Sequence, residues 1–264
     1  MRAKMIAGNW KMNSGAAAAA DFVEKLETWF ADSPEGRQAA SAVREGRVEI
    51  VIAPPFTSIA SAHAAKKSDL INIAAQNIHH RQKGAFTGEI SLPMIEEAGC
   101  RYVIIGHSER RHVFKETNED LEKKLIAALE SRVLPIFCIG ELLEERESGD
   151  TKRVLASQLE SAWRSLTSDV VAEMVVIAYE PVWAIGTGKT ASDADAEEAC
   201  DYIRTLACDK FGIAASDSLR ILYGGSVKPE NSGSLLSQKN IDGLLIGGAS
   251  LEVESFEKII ETSL

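Results

Sequence analysis

The chain has 264 residues, of which 45% are hydrophobic and 26% are charged, a balance that is typical of a folded protein and excludes a disordered chain. Its 29 basic and 39 acidic residues give a net charge of −10, which disfavours binding to nucleic acid or to an anionic membrane. A small anionic substrate would therefore need a local positive site.

Neither the cysteines nor the apolar segments indicate export. The four cysteines form no CxxC pair and are too sparse for a disulfide framework, which fits reduced thiols in a cytosol. Lys4 and Asn9 interrupt the apolar start of the chain, so it does not predict a signal peptide. No window approaches the ~18 uninterrupted apolar residues of a membrane helix. We therefore expect a cytoplasmic protein.

Eight short apolar segments predict strands. Several of them, such as VEIVIA, YVIIG and MVVIAY, are continuous rather than alternating, which is typical of parallel strands covered on both faces. The predicted strands cover residues 4–8, 48–53, 71–75, 102–105, 134–139, 174–179, 219–223 and 243–246.

The segments between these strands are rich in Ala, Leu and charged residues at helical spacing. The clearest is NEDLEKKLIAALESR, residues 118–132, which has Asn118 as its expected cap, an acidic first turn and an apolar stripe. Further helices are predicted over residues 15–30, 58–67, 151–165, 192–211, 229–237 and 253–262.

Eight strand–helix units in 264 residues average about 33 residues each. Right-handed crossovers of that length either close a barrel or wind an open sheet, and the spacing favours the barrel without excluding the sheet. No linker or change of composition divides the chain. We therefore expect a single α/β domain over residues 1–264, a (β/α)₈ barrel.

Residues whose side chains can take part in catalysis or binding follow several of the predicted strands. Asn9 and Lys11 come after the first strand, His107 after the fourth and Glu180 after the sixth, and glycine pairs follow the seventh and eighth. In a barrel these positions converge at the carboxyl ends of the strands, where such folds carry their sites. A Lys, a His and a Glu beside glycine-rich turns suit an anionic substrate that undergoes proton transfer.

Five motifs in one order, AGNWKMN, GHSERR, AYEPVWAIGTGK, LYGGSV and LIGGASL, resemble the triosephosphate isomerase family, from about Lys4 to the last helix. The resemblance implies a (β/α)₈ homodimer that interconverts dihydroxyacetone phosphate and glyceraldehyde 3-phosphate without a metal or an organic cofactor.

The resemblance also assigns roles to the residues after the strands. Glu180 looks like the catalytic base, which requires a partly desolvated carboxylate whose basicity is raised; an isolated Glu there is more often a salt-bridge partner. His107, before the turn that Ser108 and Glu109 begin, is expected to be a neutral imidazole that donates to the substrate carbonyl, because a helix amino end disfavours positive charge.

Lys11 resembles the cation that attracts the phosphorylated substrate and stabilises an enediolate oxygen, with Asn9 as a neutral donor beside it. A lysine after a strand is otherwise usually a solvated charge. Glu109 resembles the residue that positions this lysine, although a buried structural carboxylate is an equal alternative.

Glycine turns predict the phosphate site. A single glycine pair usually means only a tight turn. Together, however, Gly225, Ser226, Gly247 and Gly248 follow strands seven and eight, where barrels commonly bind phosphate in a nest of backbone amides.

The segment PVWAIGTGKTA, residues 181–191, suits a lid with two short hinges, and Gly186 within it would add an amide to the phosphate site. A rigid βα loop is the alternative interpretation.

Two segments are longer than a compact barrel requires. The stretch from Gln76 to Glu89 resembles the family's dimerisation loop, with Thr87 reaching toward the partner's Lys11 site, although its middle, His79 to Gln82, is unusually polar. The stretch from Ala31 to Arg47 is interpreted as a surface extension.

Other functions on the same barrel are less consistent with these residues. An aldolase would need a Schiff-base lysine late in the barrel or a metal cluster, and neither is visible in the sequence. A non-catalytic phosphometabolite-binding barrel would keep the glycine turns and lose Glu180 or His107, whereas this chain has both. We therefore expect an isomerase, with the non-catalytic barrel as the alternative.

Overall fold

Eight parallel strands close into a barrel in the order of the chain in the computed structural model, which describes residues 2–185 and 190–264. The barrel closes where β8 pairs with β1, with Met5 opposite Gly243. The strands are β1 (Lys4–Asn9), β2 (Val48–Ala53), β3 (Ile71–Ala75), β4 (Cys100–Ile105), β5 (Leu134–Ile139), β6 (Val176–Tyr179), β7 (Arg220–Tyr223) and β8 (Gly243–Ile246). The predicted (β/α)₈ barrel is confirmed, and the open sheet is excluded.

Helices occupy the connections and form an outer layer. In the described ranges they are α1 (Ala16–Asp32), α2 (Pro34–Arg44), α3 (Phe56–Ala64), α4 (Leu92–Glu97), α5 (Ser108–His112), α6 (Asn118–Leu129), α7 (Leu143–Glu147), α8 (Thr151–Trp163), α9 (Ser168–Met174), α10 (Asp193–Phe211), α11 (Ile213–Ser218), α12 (Pro229–Leu236) and α13 (Val253–Glu261). None of these helices combines the length and apolar character needed to span a bilayer.

Helix ends account for most differences from the predicted boundaries. The apolar run at residues 174–175 does not begin β6, because Met174 ends α9 and Val175 is its cap. The cap of α6 is Thr117 rather than Asn118, since the Thr117 hydroxyl accepts the Asp120 N–H and the Asp120 carboxylate accepts the Thr117 N–H.

The interpretation of residues 31–47 as a surface extension is wrong. Ser33 ends α1 and caps α2 by accepting the Gly36 N–H at 2.8 Å, and proline at the first helical position favours this start. Ala39, Ala40 and Ala42 of α2 are buried in the main core. The segment is therefore part of the helical layer, and its small residues allow close packing.

Side chains of each strand alternate between the barrel interior and the helical layer. On β4, Tyr102 and Ile104 join the interior cluster, whereas Val103 and Ile105 join the larger core beneath the helices. The interior is therefore a packed core rather than a channel, and the site lies at the rim.

Asp242 ties the closing strands together beneath this rim. Its side chain is 6% exposed and accepts hydrogen bonds from Arg204 Nη2 at 2.6 Å and from the Ile221 N–H at 2.9 Å. Its backbone accepts the Met5 N–H at 2.9 Å, and Arg2 pairs with its other carboxylate oxygen. One residue thus connects β7, β8 and β1.

We expect Asp242→Ala to destabilise the fold by about 3–5 kcal/mol, because removing one partner leaves the buried Arg204 charge uncompensated. Urea unfolding followed by circular dichroism measures the effect. Asp209→Ala, at an exposed position of α10, serves as the control and should stay within about 0.5 kcal/mol of the parent. A loss below about 1 kcal/mol for Asp242→Ala would contradict this role.

Candidate active site

A pocket of about 530 Å³ lies at the carboxyl ends of the strands. The closed barrel brings to it most of the residues that the sequence singled out, although they follow five different strands. The predicted residues that line it are Asn9, Lys11, His107, Glu180, Gly225, Ser226, Gly247 and Gly248.

Glu180 follows β6 and is only 1% exposed. Its backbone N–H donates to Ile139 O at 2.7 Å, which continues the pairing with β5 beyond the strand end. One carboxylate oxygen, Oε2, accepts the Ser108 N–H at 2.8 Å. Among the described residues, the other oxygen, Oε1, has no aligned hydrogen-bond donor. The carboxylate is therefore held by a backbone N–H at one oxygen, while the other oxygen faces the imidazole of His107.

His107 lies beside Glu180 Oε1. Its Nε2 is 2.8 Å from Glu180 Oε1, and its Nδ1 accepts the Glu109 N–H of α5 at 3.3 Å. Because Nδ1 accepts, the ring proton belongs on Nε2, the nitrogen that faces the carboxylate. Gly106, with φ of +74°, makes the sharp turn that presents His107 to the pocket.

The pKa of His107 is raised above 6.5. Burial acts in the opposite direction and lowers this pKa, but the Glu180 carboxylate, through its charge and the short contact, more than offsets burial, and Glu109 adds to the increase. The expectation that the helix amino end disfavours a positive charge on His107 is wrong in direction: the amino end of α5 supplies a hydrogen bond to Nδ1, and Glu180 sets the direction of the pKa shift. The protonation of His107 therefore depends on Glu180.

Lys11 faces the pocket from an unusual backbone conformation, with φ of +53°. Asn9, only 5% exposed at the end of β1, accepts the Lys11 N–H through its side-chain oxygen at 3.1 Å. Glu109 Oε1 is 2.7 Å from Lys11 Nζ, a contact that a positioning role would require. Glu109 is 44% exposed, so the buried structural alternative does not describe it.

Gln76 is part of this arrangement, and the sequence analysis noted it only as the start of a loop. Its side-chain amide donates to Lys11 O and to Ala53 O, each at 2.8 Å. It thereby fixes the strained Lys11 backbone to the end of β2. The feature of the sequence that could have indicated a role for Gln76 is its position directly after the third strand.

Arg111 and Glu141 are two further residues that the sequence analysis missed. Arg111 donates to Gly106 O and to Cys138 O, each at 2.8 Å, and so anchors the turn that carries His107. Burial lowers the pKa of Arg111 to about 10. The sequence signals for these two residues are their positions: Arg111 is the second arginine of GHSERR, and Glu141 follows the fifth strand.

Glu141 is fully buried beside the segment that follows Glu180. Its Oε1 accepts Tyr179 Oη–H at 3.0 Å and Trp183 Nε1–H at 2.9 Å, so it holds the residues on both sides of Glu180. Burial raises the pKa of Glu141. This contact fixes the chain on which the expected base is carried.

The glycine turns after β7 and β8 also line the pocket. Ser226 and Gly225 come from the first turn, and Gly247 and Gly248 from the second. A Cβ on Gly247 would lie 3.7 Å from Lys11 Cε, so the second turn passes close beside the lysine. Gly186, the fifth expected phosphate contact, lies outside the described residues, as do residues 187–189 of the segment interpreted as a lid.

The pocket thus brings together a buried carboxylate, an imidazole N–H, a lysine and two amide-rich turns. In residues 2–185 and 190–264, no three His, Cys, Asp or Glu side chains are grouped so as to hold a metal ion. Such a set can bind an anion at one end and exchange protons with carbon and oxygen at the other.

Fold and site together define a (β/α)₈ barrel with an acid–base pair beside an anion-binding turn. The family model for triosephosphate isomerase matches residues 4–263. Curated relatives described as triosephosphate isomerase include those of Moorella thermoacetica, 46% identical over 98% of each chain, and Carboxydothermus hydrogenoformans, 46% identical over the full length of both. A third, from Citrifermentans bemidjiense, is 48% identical, again over both full lengths. The chain belongs to the triosephosphate isomerase family.

We expect Glu180→Gln to lower the pKa of His107, because burial then acts without the carboxylate that offsets it. Titration of the imidazole Cε1–H signals by NMR, with the His107 signal assigned from a His107→Gln variant, measures the change. An identical pKa in parent and Glu180→Gln would show that the two side chains do not interact in solution.

Proposed function

We propose that this chain interconverts dihydroxyacetone phosphate and D-glyceraldehyde 3-phosphate by proton transfer through an enediolate. The observation that carries the proposal is the contact of 2.8 Å between His107 Nε2 and a buried Glu180 oxygen, in the pocket that the glycine turns also line. Membership of the triosephosphate isomerase family supports the same reaction and favours it over non-catalytic phosphate binding.

The side chains divide the reaction between them. Glu180 Oε1, which has no aligned donor among the described residues, removes a proton from C1 of the ketone, and the electrons move to the carbonyl oxygen. His107 Nε2–H donates to that oxygen and moves a proton between the two enediolate oxygens. Lys11 and Asn9 stabilise the negative charge. Glu180 then returns a proton to C2, which gives the aldehyde.

The phosphate end of the substrate is assigned to the glycine turns. Ser226 and the backbone amides of Gly225, Gly247 and Gly248 bind the phosphate oxygens in this proposal, with an amide of Gly186 added from the undescribed segment. Ser108 and Glu109 support the reacting groups, because Ser108 N–H orients Glu180 and Glu109 pairs with Lys11.

We further propose that the enzyme works as a single domain in the cytoplasm and needs no metal or organic cofactor. Each step above uses a side chain or amide of the chain itself. The four cysteines are free, and three of them are buried, which fits a reducing compartment.

We propose a homodimer formed through the loop from Gln76 to Glu89. Phe86 near the loop tip is 44% exposed. On the face beside Lys11, Met12 is 95% exposed and Phe114 is 64% exposed, and both line a cleft of about 180 Å³. The loop of a second copy, with Thr87 entering this cleft, would cover the apolar side chains and support Lys11.

The reaction is tested with purified protein and glyceraldehyde 3-phosphate in an assay coupled to reduction of the ketone product, with and without EDTA. We expect turnover that the chelator does not change. Absence of turnover would contradict the proposed function, and loss in EDTA that a divalent ion restores would contradict its cofactor independence.

In the same assay, Glu180→Gln should lower kcat by about 10² to 10⁴, because the amide keeps the shape of the side chain without its basicity. Glu160→Gln, at an exposed position of α8, is the matched control and should behave as the parent. Parental kcat in Glu180→Gln would remove this residue from the mechanism.

A charge at the loop tip should separate the subunits. We expect Phe86→Asp to weaken association at least tenfold and to reduce turnover, because a carboxylate cannot be desolvated against apolar side chains without a partner. Analytical ultracentrifugation measures the association. Ile213→Asp, at an apolar residue that is 71% exposed and outside the loop and cleft, should leave association unchanged. An active parent that sediments as a monomer would refute the dimer.

A further inference from the structure

Lys11 alone does not give the pocket a net positive charge. Lys11 Nζ is 2.7 Å from Glu109 Oε1, so its positive charge is already balanced by a neighbouring carboxylate. Glu180 adds a negative charge to the same pocket. The whole chain carries a net charge of −10. The doubly negative phosphate of a substrate therefore approaches a negatively charged protein. Lys11, at the pocket entrance, is already paired with Glu109.

Lys228 supplies a positive charge at this mouth. It lines the same pocket as Ser226, Gly247 and Gly248, and its side chain is exposed. In the part of the chain that the structure describes, no carboxylate lies within 4.0 Å of its ammonium group, since Lys228 enters none of the ion pairs found there. Its charge is therefore available to a ligand.

The position of Lys228 is fixed by its backbone. The Lys228 N–H donates to Asn231 Oδ1 at 2.8 Å, and Asn231 Nδ2 donates to Ser226 O at 3.0 Å. One asparagine side chain thus clamps the turn that carries both Ser226 and Lys228. Lys228 follows the expected phosphate ligand, Ser226, by two residues. The asparagine that clamps this turn is separate from the ion pair of Lys11.

We propose that Lys228 is a specificity-determining residue that recruits the phosphate dianion of the substrate and favours phosphorylated over unphosphorylated trioses. The proposal rests on the proposed function and adds to it a cation that the family resemblance did not assign. The alternative is a solvated lysine at the start of α12 with no effect on the ligand.

The size of the effect follows from the charges. A single positive charge about 6 Å from a dianion in water lowers the dissociation constant of the dianion by about tenfold at low ionic strength. Because Lys228 is exposed, added salt screens it, and the effect should decrease strongly at about 0.5 M ionic strength.

The test compares Lys228→Met, Lys228→Arg and Lys258→Met, the last at an exposed lysine of α13 that does not line the pocket. At low ionic strength we expect Lys228→Met to raise KM for glyceraldehyde 3-phosphate about tenfold with kcat nearly unchanged. Lys228→Arg should restore KM, and Lys258→Met should match the parent. A structural role would instead lower kcat or thermal stability and would not disappear in salt.

Inorganic phosphate provides a readout that does not require turnover. Its dissociation constant, measured by calorimetry at low ionic strength, should rise about tenfold in Lys228→Met relative to Lys258→Met and converge at high salt. Equal dissociation constants and equal KM values in these two variants would overturn the proposal. Absence of isomerisation in the parent would contradict the proposed function, while the phosphate measurement would still decide the role of Lys228.

Discussion

Closure of the sheet between β8 and β1 is the constraint on which the site depends. Parallel strands carry all their carboxyl ends to one edge, and closure turns that edge into a ring. With the same strand order, an open sheet would place Lys11 and Gly247 at opposite edges. In the barrel they are neighbours, since a Cβ added to Gly247 would lie 3.7 Å from Lys11 Cε. The contacts of Asp242 at the seam therefore matter to the chemistry, although Asp242 does not line the pocket.

Within the ring, backbone contacts act together with side-chain anchors to set the positions of the reacting groups. A Cβ on Gly140 would lie 1.7 Å from Glu180 O, so the strand ends of β5 and β6 approach closely only because residue 140 is glycine. The Ser108 N–H then orients the Glu180 carboxylate. Short contacts hold Lys11 against Glu109 and His107 against Glu180. Such preorganisation is what electrostatic stabilisation of a developing oxyanion requires.

Much of this architecture could be predicted from the sequence, because continuous apolar runs and helical stripes are local patterns. The eight strands followed from those patterns, and the family motifs identified the pocket residues. The helix α2 was missed because its buried face consists of alanines, which give a weak periodic signal. Gln76, Arg111 and Glu141 were missed because their contacts join segments far apart in the chain, so no local pattern reveals them. The direction of the His107 pKa shift was likewise set by Glu180, a residue 73 positions away.

The proposed reaction requires that Glu180 moves a proton and that no hydride migrates between the two carbons. Conversion of dihydroxyacetone phosphate in D₂O, with the product trapped by oxidation as it forms, tests this claim directly by NMR or mass spectrometry at C2. We expect deuterium at C2, because the carboxylic acid formed on Glu180 exchanges with solvent during part of the turnovers. Complete retention of the substrate hydrogen with no deuterium at C2 would contradict it, since that result is expected of direct hydride transfer.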